Sequence, residues 1–554
     1  MKDKILLFLI IISALTLRVV GISKYPVGLT QDEAAQGYDT YSLLLTAKDQ
    51  WGNSFPLTFR SLGDFKLPLY TYLSIPSVAA FGLNEFAVRL PNALLATVSV
   101  LVTYLMVNKL TGKKQLALLS ALLFSISPWH IALSRGAFEA NLTTLLIPIG
   151  ILAFYKGLEK PKWMILAALL FGLNLFSYHS ARLFTPLILF SLIVLNFRVL
   201  AKDFWNKYKV AVLMFAIFLF AAAGSNFTGA QKRGLDVSII NPTDKWQAVS
   251  DRRYEAVMHN LPDKIARIYS NKGSYLVYQF ANNYFTYLSP TSLFTQGVGG
   301  WDNGMIPGRG VLYLIEVVFV IASLIYFING KASQGLNIIF IWFFLSPIPA
   351  ALSKGSGFAG TRGAVMMPAL QIISAYGLYV ILRKIKEKVG SNVYNLSAFI
   401  ISILLIFSLT SFLEDYYYHA PFKGASSMQY GRKEIVEFTA GVENNYDEIF
   451  ISRTISSPNI WFEFYRKWDP SQVQLASKQW LVYEKLGVPY LDQLDGYKLG
   501  KYVFGSIHFD EMKNSKNILI VGKPEEFKSG VAPLKIFYLP DKTPAFYAVE
   551  DKNI

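Results

Sequence analysis

The chain has 554 residues, 53% of them hydrophobic and 16% charged, with a formal net charge of +16. Its apolar residues come in blocks long enough to cross about 30 Å of hydrocarbon as helices. Many positive charges sit in short loops between those blocks, where they orient a membrane protein, and they form no compact nucleic-acid module. Cysteine is absent, which excludes disulfides, thiolate metal sites and a cysteine nucleophile.

Lys2 and Lys4 precede an apolar run from Ile5 to Leu17. No small-x-small cleavage site follows it, so the run reads as a retained first span rather than a signal peptide. Apolar blocks then place spans near 5–23, 91–108, 115–133, 140–156, 163–179, 183–199, 210–225, 311–329, 335–352, 363–382 and 395–413, about eleven in all. Every second short loop is basic, from Lys109, Lys113 and Lys114 to Arg383, Lys384, Lys386 and Lys388. The positive-inside rule therefore puts those loops and the amino terminus in the cytoplasm. Loops 24–90, 226–310 and 354–362 and the carboxyl tail then lie outside a multi-pass plasma-membrane protein. Segment 67–83 is nearly long enough to span, but counting it would invert every later loop. With Pro68, Thr71, Ser74 and Pro76 inside, it reads as a short helix at the outer interface.

Loop 226–310 is rich in rings, among them Tyr269, Tyr275, Tyr278, Phe280, Tyr284, Phe285 and Tyr287. Such rings settle at the headgroup level, either as an anchor or as a lid over a lipid-borne substrate. From about 415 the composition is that of a soluble domain. Runs at 448–452, 517–521, 535–539 and 545–549 read as strands and 431–442 as a helix. The expected architecture is an all-α polytopic membrane domain over 1–414, followed by an extracytoplasmic α/β domain over 415–554. No internal repeat stands out, which counts against the inverted-repeat transporters.

Ionisable groups converge on the outer side of this topology. Asp32 and Glu33 follow the first span, Asp64 and Lys66 lie about thirty residues on, and Arg135 and Glu139 sit atop the third and fourth spans. His179 and Arg182 cap the fifth, and Arg362 opens the tenth. Carboxylates beside cations suit reaction at a phosphate-linked carbon: the cations neutralise the departing phosphate and a carboxylate takes a proton from the attacking hydroxyl. Each residue also has a plainer role. Arg18 can snorkel, Asp32 and Glu33 can cap a helix over 34–45, and Lys66, Arg182 and Arg362 can anchor at the membrane edge. Arg135 and Glu139, four apart, can pair on a helix surface, and His179 can be a packed or capping histidine. Five scattered histidines do not make a three-histidine zinc site. No glycine pattern cradles a soluble nucleotide.

The order of several motifs resembles the GT-C membrane glycosyltransferases, especially the protein O-mannosyltransferases and the aminoarabinose transferase that modifies lipid A. These are Leu17-Arg18 with Pro26 and Asp32-Glu33-Ala34; Phe65-Lys66-Leu67-Pro68-Leu69-Tyr70; and Phe86-Ala87-Val88-Arg89-Leu90-Pro91. Ser134-Arg135-Gly136 with Glu139, Asn282-Asn283-Tyr284-Phe285 through Ser289-Pro290, and Thr361-Arg362-Gly363 complete the set. The resemblance covers roughly 1–380, with a weaker likeness to the outer domain of bacterial members beyond 415. It implies inverting transfer of a sugar from a polyprenyl-phosphate carrier to a protein, lipid or glycan acceptor at the outer face.

By the same resemblance, Asp32 is the base with Glu33 beside it, and Glu139 is the second outer acidic position. Lys66 binds the carrier phosphate, helped by Arg135, Arg182 or Arg362. Asp64, His179 and Tyr284 complete the candidates, and the His179/Arg182 turn departs from the lysine-glycine turn of bacterial relatives. No cofactor is certain; a divalent cation is compatible with the carboxylates. The alternative from another class is a transporter or flippase of lipid-linked sugars, which needs charges deep within the spans rather than at one face.

Overall fold

A computed structural model describes residues 2–61, 63–202, 204–228, 234, 237–241, 245–331, 334–355, 359–488, 490–509 and 517–553. The expected loops 226–310 and 354–362 therefore lie partly outside the described residues. By compactness the chain divides into two units. The first comprises Met1–Ala14, Ala96–Leu133 and Ala140–Leu409; the second comprises Leu15–Leu95, Ser134–Glu139 and Thr410–Ile554. This division differs from the boundary at 414/415 drawn from composition, because loop 24–90 folds with the carboxyl-terminal segment.

The first unit is helical. Among the described residues of the whole chain, four helices are long and apolar enough to cross a membrane: Glu85–Thr111, Glu139–Glu159, Phe204–Phe227 and Ser391–Lys423. Two more spans result if bent pairs count, Lys114–Ser125 with Pro128–Ser134 at 57° and Gly360–Met366 with Ala369–Lys388 at 51°. Among the described residues this does not confirm the expected count of about eleven. Apolar blocks do become helices, but Leu69–Phe81, Lys162–Asn174, His179–Leu195, Glu316–Ile328 and Asn337–Ala351 are each shorter than eighteen residues. At about 1.5 Å per residue, a 13-residue helix falls well short of the hydrocarbon thickness. The first helix, Lys2–Val19, carries Asp3 and Arg18 besides two lysines. Helices approach closely where side chains are smallest: a Cβ on Gly377 would lie 1.7 Å from the Phe319 carbonyl oxygen.

The second unit joins two sequence-distant parts. Its amino-terminal part runs from the Gln31–Thr46 helix through strands β1 (Phe59–Ser61) and β2 (Asp64–Lys66) to the Leu69–Phe81 helix. The expected interfacial segment 67–83 is this last helix, kept short by Gly82 and carrying Pro76 inside. Strands β1 and β2 form an antiparallel hairpin in which Phe59 faces Lys66 and Ser61 faces Asp64.

The carboxyl-terminal part holds a six-stranded mixed sheet built from β3 (Glu448–Ser452), β4 (Tyr497–Leu499), β5 (Tyr502–Gly505), β6 (Ile518–Gly522), β7 (Lys535–Tyr538) and β8 (Pro544–Glu550), in the order β4-β5-β3-β6-β8-β7. Central β3 runs parallel to both β5 and β6, while the outer pairs are antiparallel. Strand β6 is buried throughout, as its uninterrupted apolar run demands. Ile518, Ile520, Phe527 and Val549 form a core cluster against Phe450 and Tyr547. The expected helix 431–442 is Arg432–Val442, with Ile435, Val436 and Thr439 turned inward. The β4–β5 hairpin was not read from the sequence.

These two parts are bound by polar and aromatic contacts. Tyr38 donates to the Trp468 carbonyl at 2.9 Å, Gln474 Nε2 to Thr46 Oγ1 at 2.8 Å, and Ser477 to the Gln50 carbonyl at 3.1 Å. Trp51 and Trp480 meet edge to face, and Arg60 pairs with Glu484.

Candidate active site

Thr30 starts the Gln31–Thr46 helix. Its hydroxyl accepts from the Glu33 N–H, while the Glu33 carboxylate accepts from the Thr30 N–H, a complete capping box. That pins Glu33 inward. It is 1% exposed, and its oxygens also accept from Arg89 Nε at 2.8 Å, Arg89 Nη2 at 3.2 Å and the Ala137 N–H at 2.9 Å. Burial pushes the Glu33 carboxyl up, but the Arg89 charge and these hydrogen bonds outweigh it and hold it below the usual range. The remaining Arg89 donors reach the carbonyls of Ile22, Pro26 and Gly28. Glu33 is therefore the keystone of a buried knot, with every oxygen engaged. Glu33, expected beside the base, is thus held inside the fold by these contacts.

Successive helix residues are separated by about 100°, so Asp32 points elsewhere. Its side chain is 50% exposed and lies 2.8 Å from Lys66 Nζ. Strand periodicity puts Asp64 and Lys66 on one face of β2, and Asp64 Oδ2 is 3.4 Å from the same ammonium. The Lys66 side chain is only 9% exposed, a buried cation between two carboxylates. Glu139 begins a short 3₁₀ turn and accepts from Gln36 Nε2 at 2.8 Å. It lies close enough to Lys66 and Asp32 to feel both charges. Asp32, Asp64, Lys66 and Glu139 are thus brought together by a helix start, a hairpin and a turn. Asn92 fastens that turn by donating to the Gly136 carbonyl at 2.6 Å.

Arg135 is placed differently from expectation. It is fully buried and donates to the carbonyls of Leu17, Val20 and Tyr25 at 2.8, 2.8 and 3.2 Å. Tyr416 and Tyr417 flank its guanidinium at 5.3 Å. It ties down the chain between the first helix and Tyr25, and among the described residues no ion pair joins it to Glu139. Arg18 is also fully buried rather than snorkelling.

The remaining candidates belong to the first unit. Arg182 Nε donates to the Leu175 carbonyl at 2.9 Å and Nη2 to Ser225 Oγ at 2.7 Å. Arg362 Nη1 donates to the Lys354 carbonyl at 2.6 Å. His179 opens the His179–Leu195 helix without a side-chain cap from Tyr178, and Tyr284 donates to the Phe344 carbonyl at 2.7 Å.

Asp32 and Asp64 are the carboxylates a divalent cation would call on here. The Lys66 ammonium fills the space between the Asp32 and Asp64 oxygens that such an ion would need, so this arrangement does not fit one. Among the described residues, Glu414, Asp415 and His419 have converging donor atoms, at the end of the last long helix.

Sequence reasoning missed Arg89 as a site-building residue, although it stands in the Phe86–Pro91 motif. It also missed the contacts of Gln31, Gln429, Ser456 and Ser457, which no local pattern signals.

A family model described as dolichyl-phosphate-mannose-protein mannosyltransferase matches residues 66–222, a stretch that starts on Lys66 and includes Arg89 and Glu139. An uncharacterized protein of Aquifex aeolicus is 32% identical over 107 residues, 19% of this chain and 21% of that protein. The chain thus spans about a fifth of the curated relative it matches. The structure of ArnT from Cupriavidus metallidurans bound to undecaprenyl phosphate superposes with a TM-score of 0.53 at 11% identity, covering 98% of this chain and 97% of that one. The Archaeoglobus fulgidus oligosaccharyltransferase tethered to an acceptor peptide with the NVT sequon gives 0.52 at 13% identity, over 98% and 74%. The oligosaccharyltransferase is longer than this chain, which spans 63% of the form bound to an inhibitory peptide and a dolichol-phosphate. The chain resembles the GT-C glycosyltransferases of the mannosyltransferase and ArnT type. It is a membrane protein with their fold and a sheet-containing carboxyl-terminal part.

Proposed function

We propose that this protein transfers a sugar from a polyprenyl-phosphate carrier to an acceptor hydroxyl or amine, with inversion, at the outer face of the membrane. One observation carries the reading: a half-exposed carboxylate, Asp32, is held by a nearly buried lysine that a second acid also faces. In this arrangement Lys66 occupies the base. A phosphate arriving at Lys66 competes for the ammonium and releases Asp32. The acceptor O–H then attacks the anomeric carbon, its proton passing to Asp32. The bond from that carbon to the phosphate oxygen breaks, and the phosphate leaves with the electron pair, balanced by Lys66.

The amino terminus is cytoplasmic, and the domain over 415–554 is outside. The reading needs no soluble cofactor, and charge compensation is assigned to Lys66. Support comes from the shared fold and from the family model that begins at this lysine.

The test is turnover of undecaprenyl-phosphate mannose by the full-length protein in detergent, following both undecaprenyl phosphate and glycosylated product. Loss of a general base costs about 10²–10⁴-fold, so Asp32→Asn is expected to lose that much turnover while keeping the wild-type melting temperature. Near-wild-type turnover in Asp32→Asn would overturn the assignment. Flux of the lipid-linked sugar across proteoliposomes with no covalent product would favour the flippase.

A further inference from the structure

The Gln31–Thr46 helix meets the Pro458–Tyr465 helix at Gly37, inside one compact unit. A Cβ on Gly37 would lie 2.6 Å from Phe464 Cε2 and 2.7 Å from Val88 Cγ2, so the missing side chain makes the close approach. Three acids that the mechanism does not use stand around this crossing. Asp39 is two residues along one helix, Glu463 is one residue along the other, and Asp49 lies in the turn after the first. Asp39 is 2% exposed, and Asp49 and Glu463 are inaccessible.

The three are not equally served by donors. Asp49 accepts from the Trp51 and Asn53 N–H groups at 3.0 and 2.8 Å and from Asn53 Nδ2 at 3.0 Å, a shell that suits an anion. Asp39 Oδ1 accepts from the Gln50 N–H at 3.1 Å. Glu463 Oε1 accepts from Asn459 Nδ2 at 2.8 Å, and the Tyr497 hydroxyl orients that amide by donating to its Oδ1 at 3.0 Å. The other Glu463 oxygen is buried without a partner among the described residues.

No cation offsets this. The titratable groups facing the three carboxyls from the surrounding elements are Tyr38, Tyr41, Tyr72, Asp469 and Tyr497. A buried carboxylate with neither a counter-ion nor a full set of donors takes up a proton instead. Burial first, then the Asp49 and Glu463 charges, push the Asp39 carboxyl well up, and burial pushes that of Glu463 up to about 7.

We propose that Asp39 and Glu463 form a proton-dependent clamp that closes the carboxyl-terminal domain onto the Gln31–Thr46 helix. While both carry a proton, the helices stay in contact at Gly37. As pH rises each O–H gives its proton to water, and two uncompensated negative charges are left in the contact. Opening admits water to them and parts the helices. The same helix carries Asp32, so the open form removes the support behind the site. The sign follows from carboxyls raised in the folded state: the contact is strongest at low pH and weakens as pH passes through about 7 and above. The clamp concerns how the domain is held, and it stands whether or not the transferase reading does.

The experiment is hydrogen exchange by mass spectrometry on the full-length protein in detergent, from about pH 5.5 to about pH 8.5, with intrinsic rates divided out. Amide protection over 34–46 and 460–466 is expected to hold up to about pH 7 and then fall by about tenfold per pH unit, while strand β6 stays protected. Asp39→Asn combined with Glu463→Gln leaves both groups neutral at every pH and is expected to abolish the fall. Glu463→Gln alone leaves one titrating group and moves the fall to higher pH. Level protection across the range in the wild type overturns the proposal. So does a fall that persists unaltered in the single and double variants. Loss of protection in β6 in step with the two helices marks unfolding of the whole unit and overturns it as well.

Discussion

Replacing Glu33 by Gln separates the two neighbouring acids. Glu33 takes hydrogen bonds from two Arg89 nitrogens and from the N–H groups of Thr30 and Ala137, and both members of the ion pair are essentially inaccessible. An amide of the same shape keeps one acceptor oxygen and turns an NH₂ toward donors on the other side. It also leaves the Arg89 charge buried without its counter-ion. Breaking a buried pair from one side costs about 3–5 kcal/mol. In a cooperative unit the size of the second one, this lowers the melting temperature on the order of 10 °C. Heating the detergent-solubilised protein while following tryptophan fluorescence reads this directly, since Trp51, Trp461, Trp468 and Trp480 all lie in that unit. Transfer measured well below the transition should persist, in contrast to Asp32→Asn. A Glu33→Gln protein with an unchanged melting temperature and no turnover would refute the structural role and return Glu33 to the chemistry.

Lys66→Met removes the ammonium between Asp32 and Asp64. Charged hydrogen bonds contribute about 1.5–3 kcal/mol, so donor KM should rise about tenfold or more, and an unchanged donor KM in steady-state assays would contradict phosphate binding at Lys66. Glu463 supplies a pH test. Burial, opposed by its hydrogen bond from Asn459, pushes its carboxyl up to about 7. The folded state therefore binds more protons than the unfolded one between about pH 4.5 and 7. Stability is greatest below that window, falls as pH rises through it, and stays lower above by about 3 kcal/mol. Glu463→Gln should flatten that fall in melting temperature against pH. Asp39, raised by burial and by Asp49, leaves a residual slope of the same sign.

What the sequence disclosed follows from the range of the forces involved. Strand β3 falls on 448–452 as read, because alternating β-branched and aromatic residues report their own pleat. The apolar blocks report helices for the same local reason, but not their lengths. Pro128 and Pro368 break two expected spans into bent pairs, and the blocks at 163–179, 183–199, 311–329 and 335–352 close as short helices. The pairing of Asp32 with Lys66 was legible because conserved chemistry need not be invoked: two acids and a lysine flank apolar runs where charge is costly. The burial of Arg135 and the Arg89–Glu33 knot were not legible. Their partners are backbone carbonyls and residues dozens of positions away, and such contacts leave no periodic trace. The β4–β5 hairpin also escaped; its strands are only three and four residues long.

Adjacent acids come to different settings here, one buried and one half-exposed, because one helix start imposes two directions. The capping box draws Glu33 back onto Thr30, where Arg89 and the Ala137 N–H complete its shell. With that residue fixed, helical rotation leaves Asp32 facing the hairpin, and strand alternation brings Lys66 and Asp64 to meet it. The knot beneath the helix thus determines where the exposed carboxylate stands. Gln429, Ser456 and Ser457 hold Gln31 and constrain the same turn from another side. A sequence-distant domain is then part of the site's construction, since the backbone amide immediately before Asp32 is satisfied by Gln429. Separating that domain from loop 24–90 would leave the turn's first N–H without its partner and Gln31 without its orientation, even with Asp32 and Lys66 intact.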